Sequence, residues 1–190
     1  MNKPVFYDTD CLECFLFVDA GYILEKLFSK IIIPEQVYNE LMVENTPSVV
    51  KANFKKLKEG FVEIREIPFA SQEFTTYKSI ENGFWSETGK VCGSGESAAM
   101  ALAHLNNGIV ASNNLRDVEE YVESLDIGLI TSSMILSRAV EKEIISENTA
   151  SSLYAGMINN GINLPYDSFS RYFDNLYEKD CNKFLKEDFP

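Results

Sequence analysis

The sequence predicts an α/β fold, a three-layer α/β/α sandwich around a central, mostly parallel five-stranded sheet. Two observations lead there. Short apolar runs recur at Pro4-Val5-Phe6-Tyr7, Lys30-Ile31-Ile32-Ile33, Ile109 to Ala111 and Gly128-Leu129-Ile130, and Phe61 to Ile67 alternates as a strand does. Between them lie amphipathic helical stretches, and this alternation implies parallel strands covered on both faces. A third observation bears on function. Acidic residues stand where strands turn into helices, Asp8 and Asp10 after the first run and Asp117 just beyond the third. In an open α/β sheet the carboxyl ends of the strands line the ligand crevice.

In chain order, the strand at 4–7 leads into a helix from about Asp10 to Ala20, and Gly21 separates it from a second helical stretch ending at Phe28. The strand at 30–33 is stopped by Pro34, which suits the first turn of a helix through about Glu44. After Pro47 a helix runs to about Glu59, with Val49, Val50, Phe54 and Leu57 on its apolar side. Residues 61–67 alternate as a strand, and 71–83 are helical in pattern. Gly83 to Gly95 is polar and glycine-rich, and is expected to be a mobile loop. Helices are then expected at Ser94 to Asn106, Asn114 to Ser124, Ser133 to Glu141, 147–159 and 167–186. Asn160-Gly161 and Pro165 mark a boundary between a domain at 1–164 and a helical extension at 165–190.

Composition narrows the function. At 190 residues, with 45% hydrophobic and 12% aromatic content, the chain has material for one packed core. No apolar run reaches the roughly 18 residues of a membrane span, and no secretory signal is expected, so the chain is read as cytoplasmic. The net charge is −12. Proteins that coat nucleic acid are basic, because phosphate neutralisation supplies most of their affinity. The balance argues against that role, but it permits a nuclease whose metal brings local positive charge, and it suits a basic partner. Cys11 and Cys14 have zinc-like spacing, but Cys92, Cys181 and the single histidine, His104, supply no second ligand pair. Packing on one side of a buried helix is the expected role of Cys11 and Cys14.

Carboxylates gathered at one crevice repel each other unless a cation lies between them, and oxygen ligands select a hard one. Asp8, Glu96 and Asp117 are the expected ligands. Glu40, six residues after Pro34, projects nearly two turns into its helix and is either a ligand or the residue that orients a water. Asp10 either shares the site or caps the helix. Glu96 and Asp117 also suit helix first turns, where a carboxylate complements the dipole, and Asn114 suits a cap. Thr9 or Ser112 would hydrogen-bond a carboxylate, and Arg116 is the candidate to meet a phosphate. The expected chemistry is phosphodiester hydrolysis by a water activated with Mg²⁺ or Mn²⁺.

Four segments together resemble the PIN-domain family, in its toxin-type (VapC-like) form. Phe6-Tyr7-Asp8-Thr9-Asp10-Cys11-Leu12 resembles the opening strand motif, and Pro34-Glu35-Gln36-Val37-Tyr38-Asn39-Glu40-Leu41 the second. Gly95-Glu96-Ser97-Ala98-Ala99-Met100-Ala101-Leu102-Ala103 resembles the third, and Ala111-Ser112-Asn113-Asn114-Leu115-Arg116-Asp117-Val118 the fourth. The resemblance implies a compact α/β/α domain that binds Mg²⁺ or Mn²⁺ and cleaves RNA. It implies an acidic quartet of Asp8, Glu40, Glu96 and Asp117, supported by Asn114 and Thr9. It also implies a homodimer and opens the role of toxin in a toxin–antitoxin pair, where the acidic surface would suit a basic antitoxin-like protein. Some subfamilies carry two aspartates where this chain has Asn113-Asn114, which would leave one ligand without its charge.

Two alternatives stay open. A non-catalytic binding or regulatory protein on the same fold fits the two asparagines and the acidic surface. A haloacid-dehalogenase-type phosphatase is suggested by Asp8-Thr9-Asp10, with Thr131-Ser132-Ser133 as a hydroxyl motif, but no Gly-Asp segment follows it.

Overall fold

A computed structural model describes residues 3–185 and Phe189. It contains a five-stranded sheet in the order β3-β2-β1-β4-β5, with every neighbouring pair parallel. The strands are β1 (Val5–Tyr7), β2 (Ile31–Pro34), β3 (Val62–Arg65), β4 (Ile109–Ala111) and β5 (Gly128–Ile130). The chain steps outward from β1 to β3, then returns to lay β4 on the other side of β1. The carboxyl ends of β1 and β4 therefore flank the point where strand order reverses, where ligands bind in such sheets.

Strand periodicity explains the three layers. Val5, Tyr7, Ile31, Ile33, Ile109, Ala111 and Ile130 enter one core cluster, while Phe6, Ile32, Val110 and Leu129 enter the other. Successive side chains point to opposite faces, so each run of consecutive apolar residues supplies both cores. The first core is closed by α1 (Thr9–Phe17), α2 (Gly21–Leu27), α3 (Glu35–Met42), α8 (Ser132–Glu141) and α9 (Glu147–Asn159). The second is closed by α5 (Gln72–Glu81), α6 (Ser94–Leu105) and α7 (Leu115–Leu125). The alanines of α6 are fully buried; small side chains let this helix lie close to the sheet. Cys11 and Cys14 are buried and unbridged in α1.

The edge strand β3 is only partly buried, in keeping with its alternating Val62-Glu63-Ile64-Arg65 sequence. α4 (Ser48–Lys56) packs on α1 and is held by Asn53, which donates to the Leu16 carbonyl at 2.7 Å. The C-terminal stretch expected as one helix is two, α10 (Phe169–Asn175) and α11 (Tyr177–Phe184); the expected end at residue 186 lies outside the described residues. They meet at Leu176 and pack against α8, α9 and β5. Phe169, Tyr172 and Tyr177 belong to the same core as β1. None of the described helices is long and apolar enough to cross a membrane.

Candidate metal centre

The sheet register places the first two groups of the site. Tyr7 pairs with Ala111, so the next residues, Asp8 and Ser112, emerge side by side. Backbone bonds continue one residue past each strand, from Asp8 N to Ala111 O and from Ser112 N to Ile130 O, each 3.0 Å. Asp8 is also the N-cap of α1, its Oδ1 accepting from Cys11 N at 2.8 Å. One carboxylate thus fixes the start of a helix and faces the crevice. Its second oxygen, Oδ2, is buried with no hydrogen-bond partner among the described residues.

Thr9 opens α1 and its hydroxyl donates to Glu40 Oε2. Glu40 Oε1 accepts from Gly95 N at 3.2 Å. A Cβ on Gly95 would lie 2.8 Å from Glu40 Oε2 and 3.1 Å from Val37 Cγ2, so glycine allows α3 and α6 to meet here. Glu96 Oε2 accepts from Gly93 N at 3.1 Å, closing the first turn of α6. Its Oε1 accepts from Asn114 Nδ2 at 2.7 Å, and the same amide nitrogen donates to Asp117 Oδ2 at 2.8 Å. Lys90 Nζ pairs with Asp117 Oδ1 at 3.1 Å.

Asp8, Thr9, Asp10, Glu40, Glu96, Asn114 and Asp117 line one cavity of about 340 Å³. One carboxylate oxygen each from Asp8, Asp10 and Glu96 lies within 4.8 Å of the others. Asp10 completes this tight group, whereas Asp117 stands beside it with Lys90. Asp8, rather than Asp10, makes the cap. Asn114 directs its amide to Glu96 and Asp117 and gives α7 no side-chain cap. Ser112 is buried and accepts from Asn114 N at 3.2 Å. Arg116 is exposed and does not line the cavity.

Desolvation and mutual repulsion work against charge in the tight group, in which Asp8 is buried, Glu96 half-buried and Asp10 exposed. Asp8 is held well above the usual carboxylate range by desolvation; Asp10 and Glu96 add to the rise, while the nearby Ser112 hydroxyl and Cys11 N–H oppose it. Asp10 is raised by desolvation and by Glu40. Glu96 is raised by desolvation, with Asp10 and Asp117 adding and Asn114 and Gly93 opposing. Desolvation also opposes the charge of Asp117, but Asn114, Lys90 and Arg116 outweigh it and hold its pKa low. The all-oxygen donor set and the orphaned Asp8 Oδ2 fit a hard divalent cation.

Lys90 was not a candidate from the sequence. It lies in the glycine-rich stretch expected to be a loop, and nothing local tells that this stretch runs along α7. It does so because Ser86 and Thr88 bond Glu120 and Tyr121 donates to the Lys90 carbonyl. Thr131, the first hydroxyl of the phosphatase-like motif, caps α8 through Met134 N, and Ser132 and Ser133 are buried outside the carboxylate cavity.

Fold and site together define an α/β protein with a carboxylate cluster, able to hold a divalent cation, at its topological switch point. A family model described as a PIN domain matches residues 4–178, and the chain belongs to the PIN-domain family. No curated protein matches the chain. PIN domains are generally nucleases, and the matched span contains every residue of the cluster.

Proposed function

We propose that the protein is a divalent-metal-dependent endoribonuclease using Mg²⁺ or Mn²⁺, with Asp8, Asp10 and Glu96 as its primary ligands. The observation that carries this reading is the grouping of one carboxylate oxygen each from Asp8, Asp10 and Glu96 within 4.8 Å of the others, with Asp8 buried and its Oδ2 without a hydrogen-bond partner among the described residues. When bound, the cation would acidify a water and neutralise charge building on the phosphate. The chain's own groups prepare the place for it. Asp8 is immobilised by its cap, Asn114 orients Glu96, and Thr9 with Gly95 N fixes Glu40 at the cavity wall, where it can take a proton from a water. Lys90, paired with Asp117 at the edge of the cavity, is a basic group that could meet a phosphate oxygen. In the role of a toxin, the net charge of −12 suits an inhibitor that reaches the crevice with a basic segment.

The expected result is cleavage of single-stranded RNA with Mg²⁺ or Mn²⁺ and silence in EDTA. Asp8→Asn should abolish cleavage with an unchanged circular dichroism spectrum; cleavage at the wild-type rate would remove Asp8 from the mechanism. The second reading, a non-catalytic binding protein, is favoured by the neutral Asn114 and by the Lys90–Asp117 pair. It predicts no metal-dependent cleavage of any RNA.

A further inference from the structure

Beside the carboxylate cavity lies a second one of about 360 Å³, which shares Asp10 and Asn114 with it. Its near wall is a single face of α1, with Asp10, Glu13 and Phe17 at helical spacing i, i+3 and i+7. Its far wall is the turn after α9, at residues 160–163.

Chemistry narrows what this space can take. The volume falls within the range of small-molecule pockets, about 300–1,000 Å³. Among the described residues no lysine or arginine lines it, and Asp10 and Glu13 would repel an anion. A phosphate is therefore excluded, and the uncharged part of a nucleotide is the part that fits. Glu13 is half-buried, and its carboxylate has no hydrogen-bond or ion-pair partner among the described residues. A carboxylate offers only acceptors, and its geometry matches two parallel N–H donors. Guanine presents such a pair, N1–H and the 2-amino group. Adenine and cytosine place an acceptor nitrogen beside their amino group, and uracil flanks its single N–H with carbonyls. Phe17 is partly buried and supplies an apolar ring at this cavity, the surface on which unpaired bases stack.

Resting on the nuclease reading, we propose that this second cavity is a base-binding subsite for a guanine next to the scissile phosphate, with Glu13 as its specificity residue and Phe17 as its stacking surface. Binding and cleavage test it separately. Saturation-transfer NMR with guanosine, inosine and adenosine in EDTA needs neither metal nor turnover. Guanosine should give the strongest transfer, inosine should be about tenfold weaker for want of the 2-amino group, and Glu13→Gln should remove the difference. With Mn²⁺, cleavage of a mixed-sequence RNA should fall at a fixed position relative to guanine. Replacing that guanine by inosine should slow cutting about tenfold, a comparison that needs no variant. Cleavage without base preference, or equal transfer from the three nucleosides, overturns the subsite while leaving the nuclease reading in place. Guanosine-selective binding by a protein that cuts no RNA upholds the subsite and defeats the nuclease reading.

Discussion

Asn114 and Glu96 are joined by a hydrogen bond of 2.7 Å, and the donating nitrogen also reaches Asp117 at 2.8 Å. One neutral amide thus bridges two carboxylates at the rim of an acidic cavity. Replacing Asn114 by aspartate exchanges a shared donor for a third negative charge. Asn114→Asp should lower the melting temperature in EDTA and show a larger rise with Mn²⁺ than the wild type. Asn114→Ala should lose stability without that larger rise. Scanning fluorimetry with and without Mn²⁺ reads both; an Asn114→Asp protein indifferent to Mn²⁺ would count against a cation at this cluster.

For the wild type, a ligand that binds only the folded state at a hundredfold excess over Kd adds about 2.7 kcal/mol. In a chain of this size that is on the order of 5–10 °C in Tm. Asp8→Asn and Asp10→Asn should each remove most of the gain. Asp117→Ala should remove less, because Asp117 already has a cation in Lys90.

The same cluster sets a pH dependence. Asp8, Asp10 and Glu96 have folded pKa values above their unfolded ones. Their contribution is therefore fully present below the unfolded carboxylate range and is lost as pH rises through the folded values. In EDTA these three groups should favour the fold more near pH 5 than near pH 8. The Mn²⁺-induced rise should run the opposite way and grow with pH, since ligands bind deprotonated. A Mn²⁺ effect equal at both pH values would contradict this.

Lys90→Met should separate charge from folding. The Lys90–Asp117 pair is partly exposed, so its loss should cost about 0–1 kcal/mol. Without the ammonium, the cavity is more negative, and Mn²⁺ affinity by titration calorimetry should increase. RNA cleavage should fall even at saturating metal if the lysine meets the phosphate. Unchanged cleavage would leave Lys90 as an electrostatic neighbour of Asp117 alone.

At the C-terminal end, Tyr172 donates to Asp180 Oδ2 at 2.9 Å inside the interface of α10 and α11. Burial raises the Asp180 pKa, against the opposing effects of Tyr172 and Lys183. Its charge therefore costs stability as pH rises through the folded pKa. Asp180→Asn should gain on the wild type between pH 4 and pH 7. Tyr172→Phe should lose about 1–3 kcal/mol, more at pH 7, because it leaves a buried carboxylate oxygen without its donor. Urea unfolding at the two pH values measures both differences.

Much of this molecule was legible along the chain. The five strands and the helices around them follow from local apolar periodicity and from breakers such as Pro34 and Gly21. Asp8, Glu40, Glu96 and Asp117 could be singled out because each stands near a strand end or in a helix facing the crevice. Asp10 could not be separated from a helix cap, because a two-residue shift of the helix start decides which carboxylate caps and which faces the cavity. Lys90 and Glu13 were illegible for a different reason. A lysine in a glycine-rich stretch and a glutamate mid-helix have no local mark of what lies across from them.

The amino-acid sequence by itself determined the α/β alternation, the two-faced apolar strands and the supply of carboxylates at strand ends. These depend on side-chain spacing within a few residues, which sets the faces of strands and helices before any packing. Only the tertiary structure decided that β4 lies against β1, that Glu40 meets Gly95, and that Asp10 joins Asp8 and Glu96 while Asp117 takes Lys90. Those relationships join segments far apart in the chain. They arise from sheet order, from the close approach a glycine permits, and from burial that leaves Asp8 Oδ2 without a hydrogen-bond partner among the described residues.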